Sequence, residues 1–562
     1  MNALTRGLAI LLLHPCVGGP GAETYYVRPD GGSAGQCTGL VDAAYPGAGS
    51  HQPCAFNHPF QALPPGGLPR LGGGDTLLIA GGDYRMGYGA PGAEACDQGS
   101  SFDCFMSPVP SGPDAAHRTR VLGVGWDAGC PSPPELWGAE RADLVLNLTD
   151  ASHVEVACLE LTDRSSCIEF HNPDDLPCGG CTVRCERDEP PFGDWAAVGL
   201  HAEDSVDVRL ADLWIHGLAA IGVHAGRLTD WTVERVRVNG NGLAGWDGDL
   251  WDGLGDANFG ALVFSDVEIG WNGCAEDWRT DLPVESSCWG QTAGGYGDGF
   301  APGAGGGHWV LDGLSVHHNT SDGLDLLYLD ATATVVVRRL EAWSNSGNPL
   351  KVSGTLSVQD SLLIADCAFF EGRAPLVDHC RAGGNALALN LHPRSQVDVR
   401  HLTVTGEGDC LVEIGCEAGG CDGAESVLLA NSLFLGQVDW LQPWENACLY
   451  WWDDGSLPTD PTTFDHVLVW DVKNDPCPIG VSPVCADPQL TDAALDGFDG
   501  HLLAGSPAVD AGSPALTTPR DLDGLWRDLA PDVGAYERGG AIFRDGFESG
   551  ACSGWGGVVG LR

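Results

Sequence analysis

The chain has 562 residues, 77 acidic against 28 basic, and a formal charge of −49. Such a surface excludes nucleic acid as an electrostatically favoured partner, because phosphate binding needs clustered Lys and Arg. It accommodates calcium, which takes carboxylate and carbonyl oxygens, and it would repel an anionic substrate unless metal ions bridged the two.

At the N-terminus Arg6 precedes an apolar run at 8–13, with Gly and Pro after it and a cleavage expected behind Ala22. Residues 1–22 therefore read as a signal peptide. No later stretch approaches the ~20 apolar residues of a membrane span. Twenty-two cysteines point to an oxidising compartment, so the protein is expected to be secreted, extracellular or at the cell surface. The close pairs Cys96/Cys104, Cys274/Cys288, Cys367/Cys380 and Cys477/Cys485 read as staples of loops. Cys178, Cys181 and Cys185 have zinc-like spacing but no obvious fourth ligand, and disulfides are the stronger expectation.

Residues 23–150 are rich in Gly, Pro and Cys, with strand-like pieces at 24–28, 76–80 and 119–123, and read as a cap and first coils. Short alternating runs then recur at 154–161, 206–215, 231–238, 262–269, 309–316, 335–343, 356–364, 397–404, 427–435 and 467–472. Each has the length and period of a strand, and several end in Asn or Gly. No stretch sustains helical periodicity. Units of 21 to 30 residues favour a parallel β-helix over a propeller, so the expected fold is all-β, a right-handed parallel β-helix over 151–505 with disulfide-tied loops. The long intervals 274–295 and 371–383 would be loops thrown out from the coils.

Within this solenoid the segments around 297–352 fall into columns. Asn319 aligns with Asn345, Asp322 with Asn348 and Asp325 with Lys351 at an offset of 26, and Asp298 aligns with Asp322 at an offset of 24. Followed backward, the triplets ending in Ala301, Asp247, His224 and His201 continue one row: His201, His224, Asp247, Ala301, Asp325, Lys351. Coils stack at about 4.8 Å, which brings three carboxylates and one lysine to one patch. An apolar neighbour on each side points inward, so the row points outward. Only two basic residues, Lys351 and Lys473, are lysines. A lysine, unlike an arginine, can lose its proton near neutral pH in a suitable site. A wet face of the solenoid is the plain explanation for the histidines.

After Gly505 the pattern becomes turn-rich. Residues 506–540, with Arg-Asp-Leu-Asp-Gly (520–524) and Pro-Asp-Val-Gly-Ala-Tyr-Glu (531–537), read as a segment closing the open end of the solenoid and its last edge strand. Residues 541–562 form a C-terminal tail.

The coil pattern and the segment 505–537 resemble the secreted right-handed β-helix proteins of the pectate-lyase-like superfamily. More narrowly, Gly-Asp-Gly-Phe (297–300), Ser-Asp-Gly-Leu-Asp (321–325) and Gly-Asn-Pro-Leu-Lys (347–351) resemble the motifs of polysaccharide lyase family 9. That resemblance implies calcium held by Asp298, Asp322 and Asp325 and Lys351 as the base; the outward row itself sets His201, His224 and Asp247 along the expected substrate path. The resemblance also implies β-elimination of an acidic polysaccharide by a monomer. The chain departs from the family where Ser321 replaces an acid and Pro349-Leu350 replaces Gly-Phe, which predicts weakened calcium binding. The rival is a non-catalytic β-helix, an adhesin or glycan-binding stalk, with Asp325–Lys351 as a salt bridge between coils. A polygalacturonase-type hydrolase lacks its paired-Asp and Gly-His-Gly segments here.

Overall fold

The structure, a computed structural model, describes residues 21–539 apart from 170–184, 186–188, 251, 256, 277–282, 289–296, 371–379, 418–419, 438–447 and 474–476. The expected signal peptide (but for residues 21 and 22), the C-terminal tail, and Cys178 and Cys181 lie outside the described residues.

Each alternating run buries one set of side chains and leaves its backbone to pair with the coils before and after it. In the two large sheets every such pairing is parallel: Val223 lies beside Leu200 and Trp246, Leu311 beside Phe264 and Val337. One sheet has ten strands, from Ala142–Asn147 to Cys448–Trp452. The other has 22 strands and bends around a corner, so it supplies two further faces. The chain is a right-handed parallel β-helix, the hand that right-twisted strands impose on parallel crossovers. Thr24–Gly32, Thr76–Ile79 and Thr119–Gly123 pair in turn and lead into Ser152–Asp163, so the first coils run directly into the later ones.

The bend in the large sheet is made by one left-handed residue per coil. Asp212, Arg235, Asp266, Gly313, Arg339 and Asp360 occupy equivalent positions at φ between 47° and 73°. A non-glycine residue pays about 1 kcal/mol or more for that conformation. Cross-coil pairs such as Arg235–Asp212 at 2.7 Å and Arg339–Asp312 at 2.7 Å accompany it. The interior behind the Asp-rich row is aromatic. Trp231, Trp246, Phe264, Phe300 and Trp309 interlock with ring centroids 5.1–6.3 Å apart. Trp246 and Phe300 immediately precede Asp247 and Ala301, so dense packing backs the row directly.

Nine disulfides occur among the described residues, including the four expected loop staples. Cys185 pairs with Cys167, which removes it from any zinc site. The interval at 274–295 is more ordered than a plain loop at its base. Cys274–Glu276 and Pro283–Cys288 form an antiparallel hairpin clasped by Cys274–Cys288.

The segment after Gly505 does not sit where the sequence suggested. It lies along the flank of the solenoid instead of over its open end. Leu522, Ala535 and Tyr536 cover Leu362 and Ile364, while Ala508 and Val533 pack on Leu433, Leu435 and Leu468. These outward apolar positions would otherwise face water, which is the physical reason for the placement. The last coil is paired instead by Gly480–Val481 against Thr462–Asp465, with Val484 bridging Leu468. Arg527, fully buried, anchors the flank segment through Asp360 at 2.9 Å and Glu537 at 3.3 Å.

A second buried charge group ties three strands. His216 meets Glu276 through Nδ1 at 2.7 Å and Glu160 through Nε2 at 3.1 Å. Burial alone would lower its pKa, but the two glutamates outweigh that and push it up to about 9. A raised histidine stabilises the fold fully below its unfolded pKa of about 6.5 and loses that contribution as pH rises through about 9. Wild-type stability, measured by urea denaturation, is therefore expected to fall relative to His216→Asn between pH 7 and 10; a constant difference would contradict the assignment. Arg527→Ala strands Asp360 and Glu537 and is expected to cost about 3–5 kcal/mol. Limited proteolysis should then cut first within 505–537, and a variant melting like wild type would refute this anchoring role.

Candidate active site and metal centre

The row expected from the sequence is present as a row of neighbouring residues. His201 pairs with His224, His224 with Asp247, Asp247 with Ala301, and Asp325 with Lys351. Phe300 pairs with Leu324, which sets Ala301 beside Asp325.

The corner that precedes the row explains its regularity. Asn241, Asn272, Asn319 and Asn345 are fully buried and stacked, each Nδ2 donating to the next Oδ1 at 2.8–2.9 Å. Each Oδ1 of Asn272, Asn319 and Asn345 also accepts the backbone N–H of the preceding asparagine. Beside this ladder runs a column of glycines: Gly199, Gly222, Gly245, Gly299 and Gly323. A Cβ on any of them would approach a carbonyl oxygen of the next coil within 2.4–2.8 Å. On four of the five it would also meet a ladder amide within 2.6–2.9 Å. The sequence showed only the Asn319–Asn345 step, because offsets of 31 and 47 residues separate the earlier asparagines.

At the centre Lys351 Nζ lies 3.1 Å from Asp322 Oδ2 and 3.1 Å from Asp325 Oδ2. Asp298 Oδ1 accepts the N–H of Asp322 at 3.0 Å. Asp322 Oδ1 accepts from the backbone and side-chain N–H groups of Asn348, at 2.6 and 3.0 Å. Asp325 Oδ1 accepts the N–H of Leu327 at 2.9 Å. Asp298, Asp322 and Asp325 each offer an oxygen within 4.8 Å of the others, and Asp298 and Asp322 are buried. Asn348 Oδ1 is buried with no hydrogen-bond partner among the described residues.

The electrostatics are strained. Burial, and then the carboxylates of Asp322 and Asp298, push the Asp325 pKa up to about 7 despite the nearby ammonium. Burial pulls on Lys351 in the opposite sense, yet Asp322 and Asp325 outweigh it and hold the ammonium above the ordinary lysine range. Three clustered carboxylates face one ammonium, so the fully ionised group carries two uncompensated negative charges. The donor set is all oxygen, and these residues fit a divalent hard cation such as calcium.

The other expected residues stand apart from this cluster. Asp247 uses Oδ1 to accept the N–H of Asp249 at 2.8 Å and is not among the three acids. His224 is buried, not exposed as an outward row implied, and its Nε2 meets the Asp249 carbonyl at 2.8 Å. The His201 ring lies 5.2 Å from that of His224. The row also continues further than the sequence suggested. Asn147 precedes His201, and Ala388, Glu413 and Trp451 follow Lys351. Trp451 is exposed, and Glu413 accepts from Asn385 at 2.7 Å.

No protein-family model and no curated protein matches the chain. Solved structures with a similar course include a pectate lyase, at 13% identity and a TM-score of 0.41, covering 93% of this chain and 98% of that one. A rhamnogalacturonan lyase is similar at 12% identity and a TM-score of 0.37, covering 86% and 96%. PfbA, a surface adhesin of Streptococcus pneumoniae, is similar at 8% identity and a TM-score of 0.26, covering 71% and 81%.

Calcium binding is directly measurable by calorimetry. We expect weak binding to the wild type, loss in Asp298→Ala, and affinity raised about tenfold in Ser321→Asp, which adds an acid beside Asp322. Absence of heat with both wild type and Ser321→Asp would dismiss the metal centre.

Proposed function

We propose that the protein is a calcium-assisted lyase of an acidic, uronate-containing polysaccharide, exported and acting as a monomer, with Lys351 as the base. The observation that carries this is the charge imbalance at Lys351: three adjoining carboxylates, two of them buried, and a single ammonium. Asp322 and Asp325 both share the one ammonium, and a third adjoining carboxylate raises the electrostatic cost of the group. The arrangement fits a site completed by a divalent cation.

Asp298, Asp322 and Asp325 would hold the calcium. When bound, it would supply positive charge against a substrate carboxylate and stabilise the charge that develops there during proton abstraction. With their charge committed, Asp322 and Asp325 no longer hold the Lys351 ammonium. Nζ is then able to become neutral, the form a base needs. Lys351 takes the proton alpha to the uronate carboxylate, the C–H electron pair forms a C=C bond to the next carbon, and the glycosidic oxygen leaves that carbon with its bonding pair and takes a proton from water, giving an unsaturated uronide and a new hydroxyl end. Asp247 and the exposed Trp451 lie on the same row as Lys351 and would flank the sugar chain.

The stalk alternative makes Lys351 a partner of Asp322 and Asp325 and nothing more. The two separate on one conservative substitution. In the lyase, Lys351→Ala abolishes formation of the ultraviolet-absorbing uronide and Lys351→Arg reduces it at least a thousandfold, because guanidinium stays charged. In the stalk, Arg preserves the pairing. Retained activity in Lys351→Arg would sink the base assignment; an inert wild type on all uronans tested, with calcium present, would favour the stalk.

A further inference from the structure

Four to six strand spacings before Lys351, about 19–29 Å away along the sheet, the surface folds into a cavity of about 210 Å³. Its floor is aliphatic: Leu144, Val198 and Ile221 follow one another across three strands and belong to a small apolar cluster of their own. Phe102 contributes to one wall from a short loop fastened by Cys96–Cys104. The polar groups are His201, His224, Asp143 and Glu169. Among the described residues no Lys or Arg lines the space.

This lining is chemically different from the Lys351 centre. Among the described lining residues a uronate carboxylate would find no cation and would meet two acids. Burial, followed by Asp103, pushes the Asp143 pKa up to about 6, which leaves it a strong hydrogen-bond acceptor near neutral pH. Burial, then His224 and Arg227, pushes His201 down to about 4, so its ring is neutral and offers one donor and one acceptor. The His201 ring nitrogens make no hydrogen bond among the described residues. The His224 contact to the Asp249 carbonyl makes Nε2 the N–H donor. An apolar floor with the neutral His201 imidazole and the Asp143 acceptor beside it matches a pyranose ring: C–H face below, hydroxyls at the side.

We propose that this cavity is a subsite for an uncharged sugar residue of the polysaccharide laid along the Lys351 row. The substrate class is then a mixed polymer, with a neutral residue about four to six units from the uronate at Lys351, since one sugar unit is about as long as one strand spacing. The proposal rests on reading the row as a polysaccharide groove, but not on the elimination chemistry.

The test uses the full-length Lys351→Ala protein, so that binding is read without turnover. Saturation-transfer NMR compares methyl glycosides of galactose, glucose and rhamnose with galacturonate, mannuronate and guluronate. We expect transfer to at least one neutral glycoside, lost in Ala220→Phe, whose ring would fill the cavity, and reduced at least fivefold in His201→Ala. If Ala220→Phe fails to fold by circular dichroism, His201→Ala decides alone. Binding of uronates only, of no sugar at all, or of neutral glycosides unaffected by the cavity variants overturns the proposal. A wild type inert toward uronans would defeat the lyase assignment while leaving these binding results to be read independently.

Discussion

Everything in this protein depends on one coil lying directly on the next at a constant register. The asparagine ladder and the glycine column beside it enforce that register at the corner before the chemically loaded strands. The side-chain amides of Asn241, Asn272 and Asn319 each donate to the next asparagine, which requires that each lie against the next. The glycines permit it, because any side chain at Gly245 or Gly299 would collide with both the ladder and the next coil. A slip of one residue would turn the aromatic core outward and the acids inward. The ladder therefore does for this solenoid what turn geometry does for a hairpin. Residues separated by 24 to 29 positions in the chain become neighbours within hydrogen-bonding reach.

The same register creates an electrostatic problem at the Lys351 cluster. Close-set, largely buried carboxylates raise one another's proton affinity, and Asp325 shows it most. One lysine offsets part of this and is itself pinned as a cation. Elsewhere the fold pairs its buried charges more evenly: Arg527 serves Asp360 and Glu537, and His216 serves Glu160 and Glu276. The Lys351 site gathers three acids around one base, one acid more than either of those clusters. Imbalance of this kind is expected where function, not stability, dictates the residues.

The columns were legible between 297 and 352 because those coils carry no large insertions, and the Asp298, Asp322, Asp325 and Lys351 positions follow from counting. Beyond them counting fails. The step from Asp266 to Gly313 takes 47 residues, which hid Asn241 and Asn272 from the ladder. After Lys351 the Gly-apolar-polar triplet disappears, since the row continues as Leu387-Ala388, Val412-Glu413 and Tyr450-Trp451. The burial of His224 and the flank position of residues 505–537 depend on tertiary contacts with Asp249, Asp360 and Leu433, which no local pattern encodes. A Trp one position from an aligned apolar residue was the available signal for Trp451.

The chain's unusual composition allows the central claim to be tested in one spectrum. Lys351 and Lys473 are its only lysines, so selective isotope labelling of lysine side chains yields two signals. The account requires that calcium and the Lys351 ammonium compete for Asp322 and Asp325. Adding calcium should therefore shift the Lys351 signal and leave that of Lys473 in place, and Lys351→Arg should assign the moving peak by its loss. Calcium that binds, by calorimetry, without moving the Lys351 signal would contradict the account.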